Sequence, residues 1–283
     1  MAKQAVLTTE FKLYIDGQKV SDAVKGMVAE ITVDQSVHMP HMFTIRLYDP
    51  QLKMLDQGPF DLTKVVKITA SDSANQPTTL IEGEVTALEP IFGQDMVAEL
   101  IVRGYDRTHR LYRETKSRAF LNKKDSDLAQ ELGQEANLSV VVDPTSTVYD
   151  HIFQHNQTNL AFLMQRAWRI GYDCYLNEGT LHFCKPKNSG SSLTLTWGDD
   201  LLSFRPRVTL AEQVDEVIVR GWDIEKQEAI VGKASDGHLY PDIKESQNGA
   251  AWGGEFGNGK VVLVNYPVVS QAEADTLANA RLD

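Results

Sequence analysis

Apolar and polar residues alternate in several segments of residues 1–112. Phe43-Thr-Ile45-Arg-Leu47 and Val65-Val-Lys-Ile68-Thr-Ala70 show the period of two that is typical of half-buried strands. Asp16-Gly17 adds a two-residue turn signal. The β-rich runs predicted here are Phe11–Ile15, Val28–Val33, Phe43–Tyr48, Val65–Ala70, Thr79–Ala87 and Val97–Tyr105. Short strands at this spacing predict an antiparallel β-barrel or sandwich.

The apolar positions take a helical spacing after Arg113. One helix is predicted over Ser126–Ala136, capped by Ser126 or Asp125 and ended by Asn137. A second helix is predicted behind Thr158 and closes at Gly171. Its apolar face holds Leu160, Leu163, Ala167 and Ile170. With a strand at Ser139–Val142 and a hairpin at Tyr172–Phe183, this block is predicted to be a small α/β unit.

Both cysteines, Cys174 and Cys184, lie on opposite arms of that hairpin. If Leu176 faces Thr180, Cys174 faces His182 and not Cys184. A disulfide is therefore not expected, and two reduced, partly buried thiols are predicted.

A repeated segment gives the chain its predicted organisation. Val97–Asp106 aligns without a gap with Val214–Asp223, and seven of the ten positions are identical. The shared Arg, Gly and Asp are residues that β propensity does not demand, so we interpret the segments as copies from a duplication. A β run at Leu193–Trp197 opens the second copy. The predicted fold is mainly β with a smaller α/β block: two related β domains, 1–112 and 189–283, flank an α/β domain, 113–188.

Charge narrows the classes of function. The 283 residues carry a net charge of −11, which argues against general binding to nucleic acid or to anionic membranes. The longest apolar run is five residues, Leu160–Met164, whereas a membrane-spanning helix needs about 20. The N-terminus lacks the apolar stretch of a secretory signal, so synthesis in the cytoplasm without a signal peptide is expected.

One basic stretch stands out from this acidic background. Arg103–Lys124 holds eight Lys or Arg residues and only two acids. Three interpretations stay open: contact with an acidic neighbouring subunit, a solvated face with internal ion pairs, or nucleic-acid binding. We name as candidate interface residues four arginines of this stretch and charged residues of the repeat: Arg103, Arg107, Arg110, Arg113, Arg220, Asp106 and Asp223.

The residues around each candidate catalytic or metal-binding motif do not suit that chemistry. Gly254–Lys260 resembles a phosphate-binding loop, but Val261 stands where a hydroxyl must hold magnesium. We interpret the motif as a flexible glycine loop inside a long hairpin excursion from Gly232 to Lys260. Neither cysteine lies in a nucleophile motif, and no GxSxG elbow occurs. The remaining candidates are interpreted as structural or solvated histidines and as helix or turn caps: His151 with His155, His38 with His41, Asp125 with Asp127, and Asp199 with Asp200. No catalytic residue, cofactor or metal is predicted.

Four motifs in order carry a resemblance to a known family: Gly104–Arg113, Phe120–Ala129, Gln154–Leu163 and Arg169–Tyr175. Together they resemble the VgrG and phage late control gene D family, the hub and spike proteins of contractile phage tails, type VI secretion systems and extracellular contractile injection systems. The resemblance covers most of the chain from about residue 11 onward.

The resemblance implies a structural protein, not an enzyme, in which the two β domains are tube-like antiparallel β-barrels. It implies a homotrimeric hub in a phage-tail-like particle, joining the hexameric tail tube to a threefold spike. The implied partners are the tail tube protein, baseplate proteins, a spike tip or needle protein, and a cargo effector. The resemblance also implies a following spike region with an oligonucleotide/oligosaccharide-binding-type barrel and a β-helical needle, which this sequence does not show. Either the needle lies on another chain or the length is truncated. The sequence stops inside a predicted helix, Ser270–Leu282, so the second β domain is expected to be incomplete.

Two other classes of function compete with the hub. A monomeric glycan- or cell-wall-binding β module would explain the β domains and the four tryptophans, but not the helical block or the duplication. A hydrolase associated with such a particle is the enzymatic alternative.

Overall fold

The computed structural model describes residues 10–51, 53–71, 77–94, 98–177, 179–186, 194–198, 201, 203–207, 209–237, 248–255, 257 and 259–282. The fold is mainly β with a smaller α/β block, as predicted. Its buried apolar side chains form three separate clusters, one in each third of the chain.

The first part is a curled seven-stranded antiparallel sheet in the order β2-β1-β5-β6-β7-β4-β3. Its strands are β1 (Glu10–Ile15), β2 (Gln18–Lys19), β3 (Val28–Asp34), β4 (Met42–Tyr48), β5 (Val65–Ser71), β6 (Pro77–Phe92) and β7 (Ala98–Asp106). The predicted β runs are confirmed as strands. The order begins with β2 and ends with β3, which do not pair in the described part of the chain, so the predicted barrel is an open, curled sheet here.

Local chemistry explains the turns of this part. Asp16 and Gly17 both have positive φ, 49° and 79°, as the tight turn between β1 and β2 requires. Helix α1 (Asp22–Met27) begins behind Ser21, whose hydroxyl accepts from the Val24 N–H. Short helix α2 (Met54–Gln57) follows β4, and a 3-10 helix (Arg107–Tyr112) follows β7.

The middle part packs two helices against a ribbon and a small sheet. Its elements are β8 (Thr115–Lys123), α3 (Asp125–Glu135), β9 (Ser139–Val142), β10 (Tyr149–Thr158), α4 (Asn159–Arg169), β11 (Asp173–Asn177) and β12 (Thr180–Cys184). β8 and β10 form a two-stranded antiparallel ribbon, while β12 pairs with β11 antiparallel and with β9 parallel. Leu128, Leu132, Leu160 and Leu163 fill the core between these layers.

Two predictions for this part need correction. Helix α3 is capped by neither Ser126 nor Asp125: its N-cap is Lys124, whose N–H donates to the Asp127 carboxylate. In the hairpin Leu176 faces Leu181, so Cys174 faces Phe183 and not His182. The predicted pairing was wrong by one residue, yet no disulfide joins the two cysteines, as expected, and both are buried.

The third part is a three-stranded sheet in the order β14-β13-β15 with a helix on one face. Its elements are β13 (Glu216–Asp223), β14 (Glu228–Ala234), α5 (Gly249–Gly254), β15 (Lys260–Leu263) and α6 (Gln271–Leu282). Helix α6 confirms the predicted C-terminal helix and buries Ala274, Leu277 and Ala278 against Val217 and Val219.

Two further expectations differ in the third part. The segment from Gly232 to Lys260 was expected to be a hairpin excursion, but β15 pairs parallel with β13 on the side opposite β14. The β run predicted at Leu193–Trp197 lies partly outside the described residues. The rest of it forms only an isolated bridge between Trp197 and Leu201. The duplication and the domain boundaries stay predictions.

Candidate assembly interface

Each copy of the repeated segment forms an interior strand, β7 in one sheet and β13 in another. The aspartate that ends each copy caps the turn that follows. Asp106 accepts from the Thr108 N–H at 3.1 Å, and Asp223 accepts from the N–H groups of Glu225 and Lys226 at 3.0 and 3.1 Å. The identity of the two aspartates therefore has a shared local cause, although the neighbours of β7 are both antiparallel and one neighbour of β13 is parallel.

The shared glycine also has the same cause in both copies. A Cβ on Gly104 would overlap the Phe43 ring and the Glu84 carbonyl oxygen. A Cβ on Gly221 would overlap the Val268 side chain. Close packing against the inner face of each strand therefore requires glycine at both positions.

The arginines of the basic stretch mostly have partners within the chain. Arg103 lies 3.3 Å from Glu89, and Arg107 lies 4.0 Å from Glu82. Glu84 binds two side chains: its Oε2 lies 3.2 Å from Nε of Arg110 and 3.0 Å from Nε2 of His109. Burial disfavours the charged form of Glu84, but the hydrogen bonds from Arg110 and His109 outweigh it and lower its pKa.

Two further cations of the stretch follow the same pattern. Arg118 binds Glu135 through both terminal nitrogens at 2.7 and 2.9 Å, and these hydrogen bonds lower the pKa of Glu135. Lys123 lies 3.1 Å from Glu131. Internal ion pairs, one of the three interpretations left open by the sequence, thus account for most of the basic stretch.

The other candidate interface residues divide by exposure. Arg113 and Arg220 are exposed and form no ion pair in the part of the chain that the structure describes. Asp106 is only 4% exposed, and its carboxylate also accepts from the His41 N–H at 3.3 Å. Asp106 therefore cannot contact a neighbouring subunit and is corrected to a turn cap. The Asp223 side chain is 15% exposed and pairs with Lys226 at 3.4 Å.

A buried ion pair uses one of the candidate carboxylates. Asp125, at the first turn of α3, lies 2.5 Å from Nε of Arg166 on α4. The Arg166 guanidinium stacks over the Tyr149 ring at 4.4 Å. Burial raises the pKa of Asp125, and burial raises the pKa of Tyr149 to about 12. Because Asp125 joins two helices and Asp127 caps α3, this pair does not form an open pair of catalytic carboxyls.

A second ion pair joins the middle part to the third. Arg169, at the end of α4, lies 2.6 Å from Glu273 in the first turn of α6, and both side chains are largely buried. Glu273 also accepts from the Val269 N–H at 2.8 Å. Beside this pair lies a cleft of about 780 Å³ between α4, β10 and α6, with Phe153, Trp168 and Tyr266 among its lining residues.

Five large apolar side chains from four segments of the chain are exposed, and two of them, Phe153 and Trp168, line this cleft. We call them the apolar ribbon surface: Val37 and Met39 before β4, Leu121 on β8, Phe153 on β10 and Trp168 on α4. Their exposed fractions run from 49% for Phe153 to 61% for Leu121 and Val37. The sequence reasoning missed this surface. The sequence signal for it is the alternation along β8 and β10. Phe120 and Ile152 are buried, so their strand neighbours, Ala119 with Leu121 and His151 with Phe153, point outward.

The candidate histidines lie at and around this surface. His151 and His155 flank Phe153 on the same strand, with ring centroids 6.3 and 5.8 Å from it. His38 meets Trp168 edge to face at 5.9 Å. His41 instead lies 3.8 Å from Asp106. Among the described residues no group of three or more His, Cys, Asp or Glu side chains could hold a metal ion.

The other sequence candidates are located as follows. Burial raises the pKa of the Cys174 thiol to about 12, which disfavours the nucleophilic thiolate. The glycine-rich segment before Lys260 leads into strand β15 and not into a helix. Asp199 and Asp200 lie outside the described residues. No helix in the described ranges has the length and apolarity to cross a membrane.

Comparisons with known proteins agree with a tail-protein fold. The chain is similar to the 43 kDa tail protein of prophage MuSo2 from Shewanella oneidensis, with 15% identity and a TM-score of 0.64 over 96% of this chain and 77% of that one. It is also similar to a tail protein from Neisseria meningitidis MC58, with 14% identity and a TM-score of 0.59 over the same shares. No curated protein sequence matches significantly. The family model described as the Alg8 N-terminal domain matches residues 5–282, and the chain therefore belongs to that family.

Proposed function

We propose that this chain is a structural hub protein of a contractile, phage-tail-like injection particle. The observation that carries the proposal is the shared fold: 96% of the chain aligns with a prophage tail protein at a TM-score of 0.64. In the proposed particle the chain is a homotrimer that joins the hexameric tail tube to the threefold spike and the baseplate. Its partners are the tail tube protein, baseplate proteins, a spike tip or needle protein and a cargo effector.

Symmetry gives the repeated segment a purpose in this hub. Three chains that each carry two related β units present six similar units, which fit a sixfold ring on one side while the trimer keeps threefold symmetry on the other. The capping aspartates and packed glycines of β7 and β13 support a common origin of these units.

The proposed role is mechanical, without catalysis. Asp125 is held by Arg166, Asp127 caps a helix, and Cys174 is buried, so these candidate catalytic groups are occupied in structural contacts. Among the candidate interface residues, Arg113 and Arg220 are the cations available to a neighbour's carboxylates. Charge reversal at both is expected to weaken assembly modestly, since exposed pairs contribute only about 0 to 1 kcal/mol each.

The test combines mass and particle assembly. Light scattering on the purified chain should give about three times 31.6 kDa. Deleting the gene should remove sheathed tubes from electron micrographs, and the wild-type gene should restore them. Particles of normal length without this chain would contradict a hub. A monomer that binds cell-wall glycan would favour the binding module, and hydrolysis of such glycan would favour the enzyme.

A further inference from the structure

We propose that the apolar ribbon surface is the contact between neighbouring copies of this chain. The proposal rests on the proposed function in one respect, self-association, and adds the surface that performs it. The occupant to which it commits is a second copy, in contact through Val37, Met39, Leu121, Phe153 and Trp168.

The first step is that one face of the β8–β10 ribbon is uncovered. The two strands pair from Tyr149 opposite Lys123 to Thr158 opposite Thr115, and no third strand joins them in the described part of the chain. Phe120 and Ile152 point inward and are buried in the core. The neighbouring side chains along each strand point the other way, to the outer face. On that face Leu121 is 61% exposed and Phe153 is 49% exposed.

The second step is that the exposed side chains lie on segments that contact one another. His151 lies opposite Leu121 in the ribbon, and its ring stacks on Phe153. Phe153 and Trp168 line the same cleft. Trp168 in turn contacts His38, the residue between Val37 and Met39. These contacts connect the ribbon, α4 and the loop before β4.

The third step concerns area. Five side chains that are each about half exposed leave roughly 500 Å² of mostly apolar surface. The largest apolar patch on a typical monomer covers about 300 to 600 Å², so this area lies near the upper end of that range. A standard interface buries about 800 Å² per partner. The surface can therefore supply the apolar centre of an interface of ordinary size, with the polar rim of the ribbon completing it.

Charge selects the occupant. Each copy carries a net charge of −11, so two copies repel each other across most of their surfaces. The five side chains of the apolar ribbon surface carry no charge, and Lys123, opposite Tyr149 in the ribbon, lies at its edge. An uncharged apolar patch is where two equally acidic copies meet with the least repulsion. An oppositely charged partner would instead favour the acidic surfaces elsewhere.

The experiment uses single cysteines as reporters of burial. Native Cys174 and Cys184 are 0% and 4% exposed, so an added surface thiol dominates labelling by a maleimide. Leu121→Cys places the thiol in the proposed contact. Ile224→Cys is the matched control, because Ile224 is an apolar residue, 82% exposed, in the turn after β13. We expect labelling of Leu121→Cys to be at least tenfold slower than that of Ile224→Cys in the associated protein, and equal after dilution to single chains.

A second pair of variants tests the energetic role of the surface. Leu121→Glu with Phe153→Glu should reduce the mass measured by light scattering to one chain while circular dichroism stays unchanged. Ile224→Glu should leave the mass unchanged. An associated protein in which Leu121→Cys and Ile224→Cys react equally fast would overturn the assignment of the surface and leave the proposed hub standing. A wild-type chain that stays monomeric would contradict both the contact and the homotrimer.

Discussion

Gly104 shows how one residue decides the packing of the first sheet. It lies on β7 between β4 and β6, and a Cβ there would meet the Phe43 ring on one side and the Glu84 carbonyl oxygen on the other. Gly221 holds the same place in β13, where a Cβ would overlap the Val268 side chain while the nearest backbone oxygen, that of Val268, lies 3.0 Å away. A backbone oxygen in a sheet moves less readily than a side chain.

We therefore expect Gly104→Ala to lower the free energy of unfolding by about 2 to 3 kcal/mol, and Gly221→Ala by less. Urea unfolding measures both. Gly26→Ala is the control, because nothing lies within 4 Å of a Cβ built at Gly26 in α1, and the added methyl should be neutral or slightly stabilising. Equal losses at Gly104 and Gly26 would contradict this account of β7.

At this scale the sequence identified the residues and missed some of their roles. The repeat singled out Gly104, Asp106 and their counterparts because β propensity does not require them. It did not show that the Asp106 carboxylate turns inward toward the Thr108 N–H, since the direction of a side chain at a strand end depends on the turn that follows. An acid in a basic stretch therefore suggested an interface where the structure has a buried cap.

Among the elements, the link between β6 and the 3-10 helix carries a pH dependence. Glu84 on β6 is largely buried and binds both His109 and Arg110 of the 3-10 helix. Its pKa in the folded chain lies below its ordinary value. Folding therefore favours the ionised carboxylate, and this stabilisation is present above the unfolded pKa and lost as pH falls through the folded one.

Wild-type protein should accordingly lose part of its free energy of unfolding as the pH falls below about 5. Glu84→Gln should be less stable at neutral pH and show a flatter acid dependence, measured by urea unfolding between about pH 3 and 7. Glu89→Gln removes an acid whose side chain is 55% exposed and should leave the slope close to wild type. Parallel slopes for Glu84→Gln and wild type would refute the role of Glu84.

Element type was predictable, and element pairing was not. Period-two alternation identified the strands of the first sheet, and Thr158 and Gly171 marked the ends of α4 correctly. The hairpin register failed by one residue because Asn177 faces Thr180, which leaves a turn of two residues where three were assumed. The parallel pairing of β15 with β13 joins segments more than 40 residues apart, and local patterns contain no information on such contacts.

On the scale of the whole molecule, one ion pair couples the middle part to the third. Arg169 and Glu273 are 104 residues apart in sequence and both largely buried. Removing one partner of a buried pair leaves an uncompensated charge and costs about 3 to 5 kcal/mol. The apolar ribbon surface is also a property of this scale, since its residues come from four segments that only the fold brings together.

Glu273→Gln should therefore loosen α6 and leave the first sheet unaffected. Hydrogen exchange of amides in Gln271–Leu282 and in β14 should accelerate, while that in β7 stays as in wild type. Glu225→Gln is the control, since Glu225 is an exposed acid in the turn after β13. If hydrogen exchange accelerated equally in all three parts, Glu273→Gln would have destabilised the whole chain, which would contradict a local coupling between the middle and third parts.

Helix α6 closes the third sheet in two ways at once. It covers the inner face of β13 and β14, approaching Gly232 so closely that no Cβ would fit. Its first side chain, Gln271, hydrogen-bonds the backbone of Val231 on the edge of β14 through both ends of its amide. During biosynthesis the strands leave the ribosome before the helix does. A nascent chain that includes β15 but not yet α6 therefore exposes an apolar sheet face beside an unpaired strand edge. Chaperones bind surfaces of this kind. A chain terminated before α6 would keep both features exposed and would be prone to aggregate.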